Sequence, residues 1–315
     1  MADNRIVVIC GPTASGKSAL AVALAHETGG EVVGADSMQV YRRMDIGTAK
    51  PTAAEMEGVP HHMIDVADPE ENYSVARYVQ DGCAAVDDIL ARGKLPIVAG
   101  GTGLYIDNLV AGRSFAPLPE EGAIRRELQR RARAEGLPVL LEELRRVDPE
   151  AAARFHPNDE KRIIRALEVY LATGQTITSH NEATRALPPR YRAVTVALGF
   201  ADRGQLKARI DRRVDEMMER GLEGEVRALL QSGVEPGCTA MQAIGYKELT
   251  GAILGDRPIG EAAAEVKLRT RQYAKRQLTW FRRSGAANWF LWDDEPDFSK
   301  ALAFSTNLVR GSGVQ

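Results

Sequence analysis

The chain has 315 residues, 44% apolar and 27% charged, an ordinary globular composition with room for one elaborated domain or two. No apolar run approaches the roughly 20 residues of a membrane span, and the first strand-like run begins so soon after Met1 that no signal peptide is expected. A formal net charge of −2 does not by itself suggest nucleic acid, and three scattered cysteines (Cys10, Cys83, Cys238) lack the spacing of a disulfide framework or metal site, so they read as reduced cytoplasmic thiols.

Ile6-Val7-Val8-Ile9 is too short for a helix and rich in β-branched residues, which predicts a buried strand. Ala19 to His26 is an alanine- and leucine-rich run suited to a helix. Between them lies Gly11-Pro12-Thr13-Ala14-Ser15-Gly16-Lys17-Ser18, the G-x-x-x-x-G-K-[ST] pattern in the strand–loop–helix context it requires. Gly11 and Gly16 let the backbone N–H groups turn inward, and the helix N-terminus adds partial positive charge. Lys17 supplies a point charge for phosphate oxygens and the Ser18 hydroxyl a ligand for Mg²⁺. The loop is expected to bind a diphosphate or longer.

Glu31 to Ala35 predicts a second strand, running into Asp36-Ser37-Met38-Gln39-Val40-Tyr41. In a parallel sheet the carboxyl ends of the strands share the edge that carries the phosphate loop, which puts Asp36 near the phosphates. There it serves as a Mg²⁺ partner, a general base, or a turn and cap residue, with Ser37 and Gln39 able to read a base edge. Arg42 to Pro60 reads as a loop with a short helical piece. His61 and His62 open a third strand through Val66; neighbours on a strand face opposite ways, so a shared metal is a poor reading and one histidine is expected at the site edge. Tyr73 to Arg92 predicts a helix capped by Ser74. Leu95 to Ala99 predicts a fourth strand, ending in Gly100-Gly101-Thr102-Gly103-Leu104-Tyr105, where three glycines around a hydroxyl suggest either a tight turn or close approach to a ligand.

From Ser114 to Arg190 the pattern is helical and basic. Pro117 and Pro119 break the chain, three helices are expected near 125–133, 138–147 and 159–171, and Pro188-Pro189 closes the segment. Its many arginines read either as a solvated face or as phosphate contacts. Ala193 to Phe200 returns to a strand, followed by helices at 205–219 and 222–231, the first placing Arg209 and Arg213 on one face toward a common anion. A long helix, Glu261 to Arg283, has no acidic residue from Arg269 onward and interleaves aromatics, a candidate RNA track in which Trp280 and Phe281 act as core anchors. After Asp293 a weak helix and a disordered end are expected. The pattern as a whole predicts an α/β fold: a P-loop NTPase-like parallel sheet flanked by helices, formed by 1–113 and 191–315, with an all-helical insertion domain at 114–190.

These motifs together resemble the bacterial tRNA dimethylallyltransferases (tRNA isopentenyltransferases). The matching pieces are Gly11–Ser18, Asp36–Tyr41, Ile46–Pro51, His61–Asp65, Gly100–Tyr105, Lys161–Val169, Ile244–Tyr246 and Thr270–Trp280, in order along nearly the whole chain. The phosphate loop alone is unspecific; Asp-Ser-x-Gln-x-Tyr with Gly-Gly-Thr-Gly-Leu-Tyr at this spacing is specific. The resemblance implies transfer of a dimethylallyl group from dimethylallyl diphosphate to N6 of the adenine just 3′ of the anticodon, in tRNAs reading codons that begin with U. It implies Asp36 as general base, Thr102 as a second contact to the diphosphate or the adenine, and Arg213 on the leaving group, with Gly11 to Ser18 holding the diphosphate and Ser18 the Mg²⁺. It further implies tRNA contacts at Asp36, Ser37, Met38, Gln39, Thr102, Ile124, Glu160, Lys161, Arg162, Ile163, Ile164, Gln242, Tyr246 and Lys247. A cytoplasmic monomer with no membrane partner is expected.

Overall fold

Ile6, Val7, Val8 and Ile9 are completely buried, as befits a central strand covered on both faces. The computed structural model describes residues 4–115, 122–283, 285–293 and 295–312. The chain begins with β1 (Arg5–Cys10), α1 (Lys17–Thr28), β2 (Glu31–Gly34), α2 (Ala53–Met56), β3 (His61–His62), α3 (Val75–Ala91), β4 (Pro96–Gly100) and α4 (Gly103–Ala111). Next come α5 (Ala123–Ala134), α6 (Leu137–Val147), α7 (Pro149–Arg154), α8 (Glu160–Thr173) and α9 (Ile177–Arg185). The chain then forms β5 (Arg192–Phe200), α10 (Arg203–Glu219), α11 (Leu222–Gln231), a 3₁₀ turn at Ala240–Gln242, α12 (Tyr246–Leu254), α13 (Ile259–Arg283), β6 (Asn288–Trp292) and α14 (Phe298–Gly311).

The described strands form one parallel sheet in the order β3-β2-β4-β1-β5-β6. Because β1 connects to β2 across β4, the order reverses beside β1, and the crevice at the carboxyl ends there is where a parallel sheet accepts a ligand. The chain divides into two units, 1–112 with 190–315, and 113–189. In the first unit Leu20 and Leu24 of α1, Leu198 of β5, Trp292 of β6 and Ala301 of α14 share a core with β1. The second unit has its own core, in which Leu128, Leu140, Leu144, Ile163 and Leu167 are at most 1% exposed.

Several elements differ from expectation. The third strand stops at His62, because Met63 and Asp65 adopt left-handed backbone (φ 64° and 56°) that ends the extended run. Neither histidine reaches the site edge. His61 Nδ1 bonds the Val59 carbonyl at 2.8 Å, while His62 Nε2 lies 2.8 Å from Glu31 at the amino end of β2, where Arg92 and Lys94 also converge. The helical unit has two further helices, α7 and α9, set by caps rather than apolar periodicity: Asp148 caps α7 by accepting the Ala151 N–H and also accepts from the Thr178 N–H and hydroxyl, and Thr176 caps α9 by accepting the Ser179 N–H. The break at Pro117 and Pro119 lies outside the described residues. β6 was not expected at all, and α14 is no weak tail: Ala301 and Ser305 are fully buried. The disordered end falls on residues 313–315, also outside the described residues.

Candidate active site

The phosphate loop leaves β1 at Gly11, whose φ of 144° and a virtual Cβ only 2.4 Å from the Leu198 carbonyl leave room for no other residue. Inside the loop, the fully buried Ser15 hydroxyl donates to the Pro12 carbonyl at 2.8 Å, and Lys17 Nζ donates to the same carbonyl at 2.7 Å. Trp292 Nε1 donates to the Ser15 carbonyl at 3.0 Å, so β6 supports the loop from behind. Burial pushes the Lys17 ammonium down to about 8, the Arg213 charge pushes the same way, and Asp36 opposes them. Arg213 is itself held below its ordinary value by burial, again against the pull of Asp36. Arg213 makes no hydrogen bond or ion pair among the described residues. Arg209, expected beside it, lines the same cavity of about 310 Å³ next to Ala14 and Gly16. It is already engaged, however, by Glu295 at 2.8 Å and the Ala14 carbonyl at 3.3 Å.

At the carboxyl end of β2, Asp36 Oδ1 accepts the Met38 N–H at 2.9 Å. The cap role therefore exists, and the same residue also lines a cavity of about 280 Å³. Thr102 is tied to this strand end: its Oγ1 accepts the Ser37 N–H at 3.0 Å, and its own N–H donates to the Ala35 carbonyl at 3.1 Å. The glycines around Thr102 approach protein, not an open ligand surface. A Cβ on Gly101 would sit 2.3 Å from Gln277 Nε2, and one on Gly103 would sit 2.2 Å from the Trp280 indole. The sequence thus carried the need for small residues, but the occupants are two side chains of α13. Of the two expected core anchors only Phe281 is buried; Trp280 is 36% exposed and is held instead by its Nε1 donating to Asp107 at 2.9 Å.

Thr13, Asp36, Ser37, Met38, Arg213 and Gln242 all line the 280 Å³ cavity, with Ile210, Val214, Met217, Leu222 and Val266 forming its apolar wall. Tyr273 and Arg276 of α13 complete it, the guanidinium 5.6 Å from the ring centre. The Tyr273 hydroxyl is pushed up to about 12 by burial and the Asp36 charge, against hydrogen bonding from Thr102 and Gln277. The rest of the basic run is less free than its composition suggests: Arg271 is paired with Asp211 at 2.8 Å and Arg269 with Glu265 at 3.2 Å.

Other expected contacts sort by exposure. Gln39 is half-buried and donates through Nε2 to the Thr48 and Ala49 carbonyls, shaping the cavity rim. Tyr246 is fully buried with its hydroxyl bonded to Glu225 at 2.5 Å, and Ile163 and Ile164 lie in the helical core, so these three side chains are packing groups, not surface offered to RNA. Gln242, Lys247, Glu160, Lys161 and Arg162 are exposed, and Ile124 is half-buried against the helical core. Sequence reasoning missed Glu225, which accepts the N–H groups of Asp45, Ile46 and Gly47 and so holds the loop over the cavity. No spacing signal points to it. Among the described residues no group of three His, Cys, Asp or Glu gathers to hold a metal, and no helix is long and apolar enough to cross a membrane.

Residues 39–284 match the model of the IPP transferase family. A tRNA dimethylallyltransferase of Thermoanaerobacter sp. is 46% identical over 297 residues, covering 94% of each chain. One from Pelobacter propionicus is 49% identical over 285 residues, covering 90% of this chain and 92% of its own. Among solved structures, the full-length tRNA isopentenylpyrophosphate transferase of Bacillus halodurans superposes with a TM-score of 0.72 at 41% identity, covering 98% of this chain and 96% of that one. A eukaryotic dimethylallyltransferase caught acting on tRNA superposes with a TM-score of 0.83 at 30% identity, covering 98% of this chain and 80% of that one.

Proposed function

Because the chain belongs to the IPP transferase family, we propose that it is a tRNA dimethylallyltransferase modifying N6 of the adenine 3′ to the anticodon in tRNAs reading codons that begin with U. The observation that carries this reading is the composition of one cavity. A carboxylate from the end of β2 and a guanidinium from α10, unpaired among the described residues, share it with an apolar wall of about five side chains. A phosphoryl-transfer site has no use for such a wall; a five-carbon prenyl group beside an anionic leaving group does.

In the reaction, the adenine amine attacks C1 of dimethylallyl diphosphate, a C–N bond forms, and the C1–O bond breaks with its electron pair departing on diphosphate. The amine proton passes to Asp36, the only carboxylate among the lining residues described. The loop amides from Ala14 onward, Lys17 and Arg213 stabilise the charge growing on the leaving group. Diphosphate contact restores the full ammonium of Lys17, whose proton affinity burial has lowered. Thr102, bonded to Ser37, holds the strand end that carries Asp36. The reacting adenine leaves its stack to enter the cavity, and Lys161 and Arg162 on α8 contribute phosphate contacts from the helical unit.

The cofactor we propose is Mg²⁺. The exposed Ser18 hydroxyl makes no hydrogen bond among the described residues and faces a cavity shared with Glu55 and Arg213. One hydroxyl plus diphosphate oxygens and retained waters suits a magnesium ion, which rarely needs an all-protein cage. When bound, it neutralises leaving-group charge. The enzyme we propose is a monomer acting on tRNA in the cytoplasm.

The test combines purified protein, Mg²⁺, radiolabelled dimethylallyl diphosphate and an unmodified anticodon stem-loop. Label entering the RNA and not free AMP is the expected result. Label in AMP alone makes this a nucleotide prenyltransferase, and ATP consumption without label transfer makes it a kinase or ATPase.

A further inference from the structure

Gln277 is 5% exposed and sits on α13, one turn beyond Tyr273. Its Oε1 accepts the N–H of Thr13 in the phosphate loop at 2.9 Å, and its Nε2 donates to the Gly101 carbonyl, also at 2.9 Å. Gly101 leads into Thr102, whose N–H bonds the Ala35 carbonyl and whose hydroxyl accepts from Ser37, on either side of Asp36. One buried amide thus links the loop that holds the leaving group to the strand end that holds the base. The Thr13 N–H is consumed by this link, so the loop meets diphosphate through the amides that follow.

The chemistry explains the residue type. The bridge needs a group that accepts at one atom and donates at the other, at the reach of a Gln side chain. Glutamate would keep the Thr13 bond but face the Gly101 oxygen without a proton, and methionine would make neither bond. Gly101 fits the same picture, since a Cβ there would lie 2.3 Å from Nε2.

We infer that Gln277 is a positioning residue for prenyl transfer, which fixes the phosphate loop against the Gly101–Thr102 turn and so sets the distance between leaving group and acceptor amine. The inference rests on the transfer reaction proposed above. Each substrate has its own contacts, so the link governs their mutual geometry rather than the binding of either alone.

The experiment measures single-turnover transfer, separate dissociation constants for dimethylallyl diphosphate and the stem-loop, and thermal unfolding for wild type, Gln277→Glu and Gln277→Met. The expected result is a fall in the transfer rate of about 10²-fold in both variants, the scale of a small misplacement of reacting groups, with each dissociation constant within about threefold of wild type. Protonation gives the introduced carboxylate the missing donor, so the rate of Gln277→Glu relative to wild type should rise as pH falls, while that of Gln277→Met stays flat. A wild-type rate in Gln277→Glu overturns the inference. So does a loss in both variants that tracks only the unfolded fraction, with no pH-dependent recovery. A wild-type chain that transfers no label overturns the functional reading and this inference together, which separates the two failures.

Discussion

Along α5, α6 and α8 the arginines sit among carboxylates: Arg130 with Glu127 at 2.6 Å, Arg131 with Glu135 and Glu143, Arg145 with Glu142, Arg162 with Asp159 at 3.1 Å. Beside the phosphate loop Arg209 is paired with Glu295, but its two cationic neighbours are not. Lys17 and Arg213 are enclosed, make no ion pair among the described residues, and have their proton affinity lowered by burial. Exposed pairs of the first kind contribute about 0–1 kcal/mol each and say little about function. Enclosed, unpaired cations are costly unless an anion completes them, so they locate a site more reliably than any count of arginines.

Asp36 is the carboxylate whose charge the enclosed cations feel without pairing with it, and its removal should have the largest effect. Asp36→Asn keeps the Met38 cap acceptor but cannot take a proton. It should lower the transfer rate about 10²–10⁴-fold, the range of general-base catalysis, while stem-loop binding stays near wild type. A near-normal rate would remove Asp36 from the chemistry and leave it the capping role.

The charge contrast can be read directly through protons. The folded pKa of Lys17, about 8, lies below its ordinary 10.5. Between those values the unfolded chain binds more protons than the folded one, so the contribution of this group to stability improves as pH rises through the window. An arriving diphosphate reverses the shift, so binding above about pH 8 should take up a proton. Calorimetric titration in buffers of different ionisation enthalpy measures that uptake. Lys17→Met should abolish it. Arg213→Gln should reduce it, because losing the neighbouring like charge lets Lys17 hold its proton in the free protein. Equal heats in all buffers would mean that Lys17 is fully charged before the ligand arrives.

The same contrast explains what could be seen in advance. The strand–loop–helix at Ile6 to His26 was legible because three local signals agree: β-branched run, glycine spacing and helix-forming run. Asp36 and Thr102 could be placed because parallel strands deliver their carboxyl ends to one edge. Pairing between distant residues was not legible: Arg271 and Arg213 look alike in sequence, and only the fold puts Asp211 beside one and a cavity beside the other. Gly101 and Gly103 signalled close approach, yet Gln277 and Trp280, which make the approach, lie more than 170 residues away. β6 and the caps of α7 and α9 were missed because five residues, or a single Asp148 or Thr176, carry too little pattern.

The contact from β6 tests how firmly the enclosed site is held. Trp292 is 2% exposed, with its indole edge-on to Phe290 and Phe298. Trp292→Phe retains an aromatic ring there but removes the donor to the Ser15 carbonyl. Leaving that buried carbonyl short of a partner should cost about 1–3 kcal/mol of stability, seen as a lower urea midpoint, with weaker dimethylallyl diphosphate binding and unchanged stem-loop binding. Equal losses of both affinities would show that the loop is not the part that moves.

The smallest effect belongs to the helical unit, and it divides that unit's own cations. Lys161 and Arg162 are exposed neighbours at the start of α8, but Arg162 is paired with Asp159, while Lys161 has no such partner among the described residues. An unpaired lysine meets a phosphate without first breaking an ion pair. Lys161→Gln should therefore weaken stem-loop binding a few-fold and reduce the slope of log affinity against log salt by about 0.7–0.9, the amount expected for one phosphate contact. Arg162→Gln should reduce it by less, because the charge of Arg162 is already partly neutralised by Asp159. If the two variants lose the same slope, the pair with Asp159 opens on binding, and the pairing seen in the free protein is no guide to which surface arginines meet RNA.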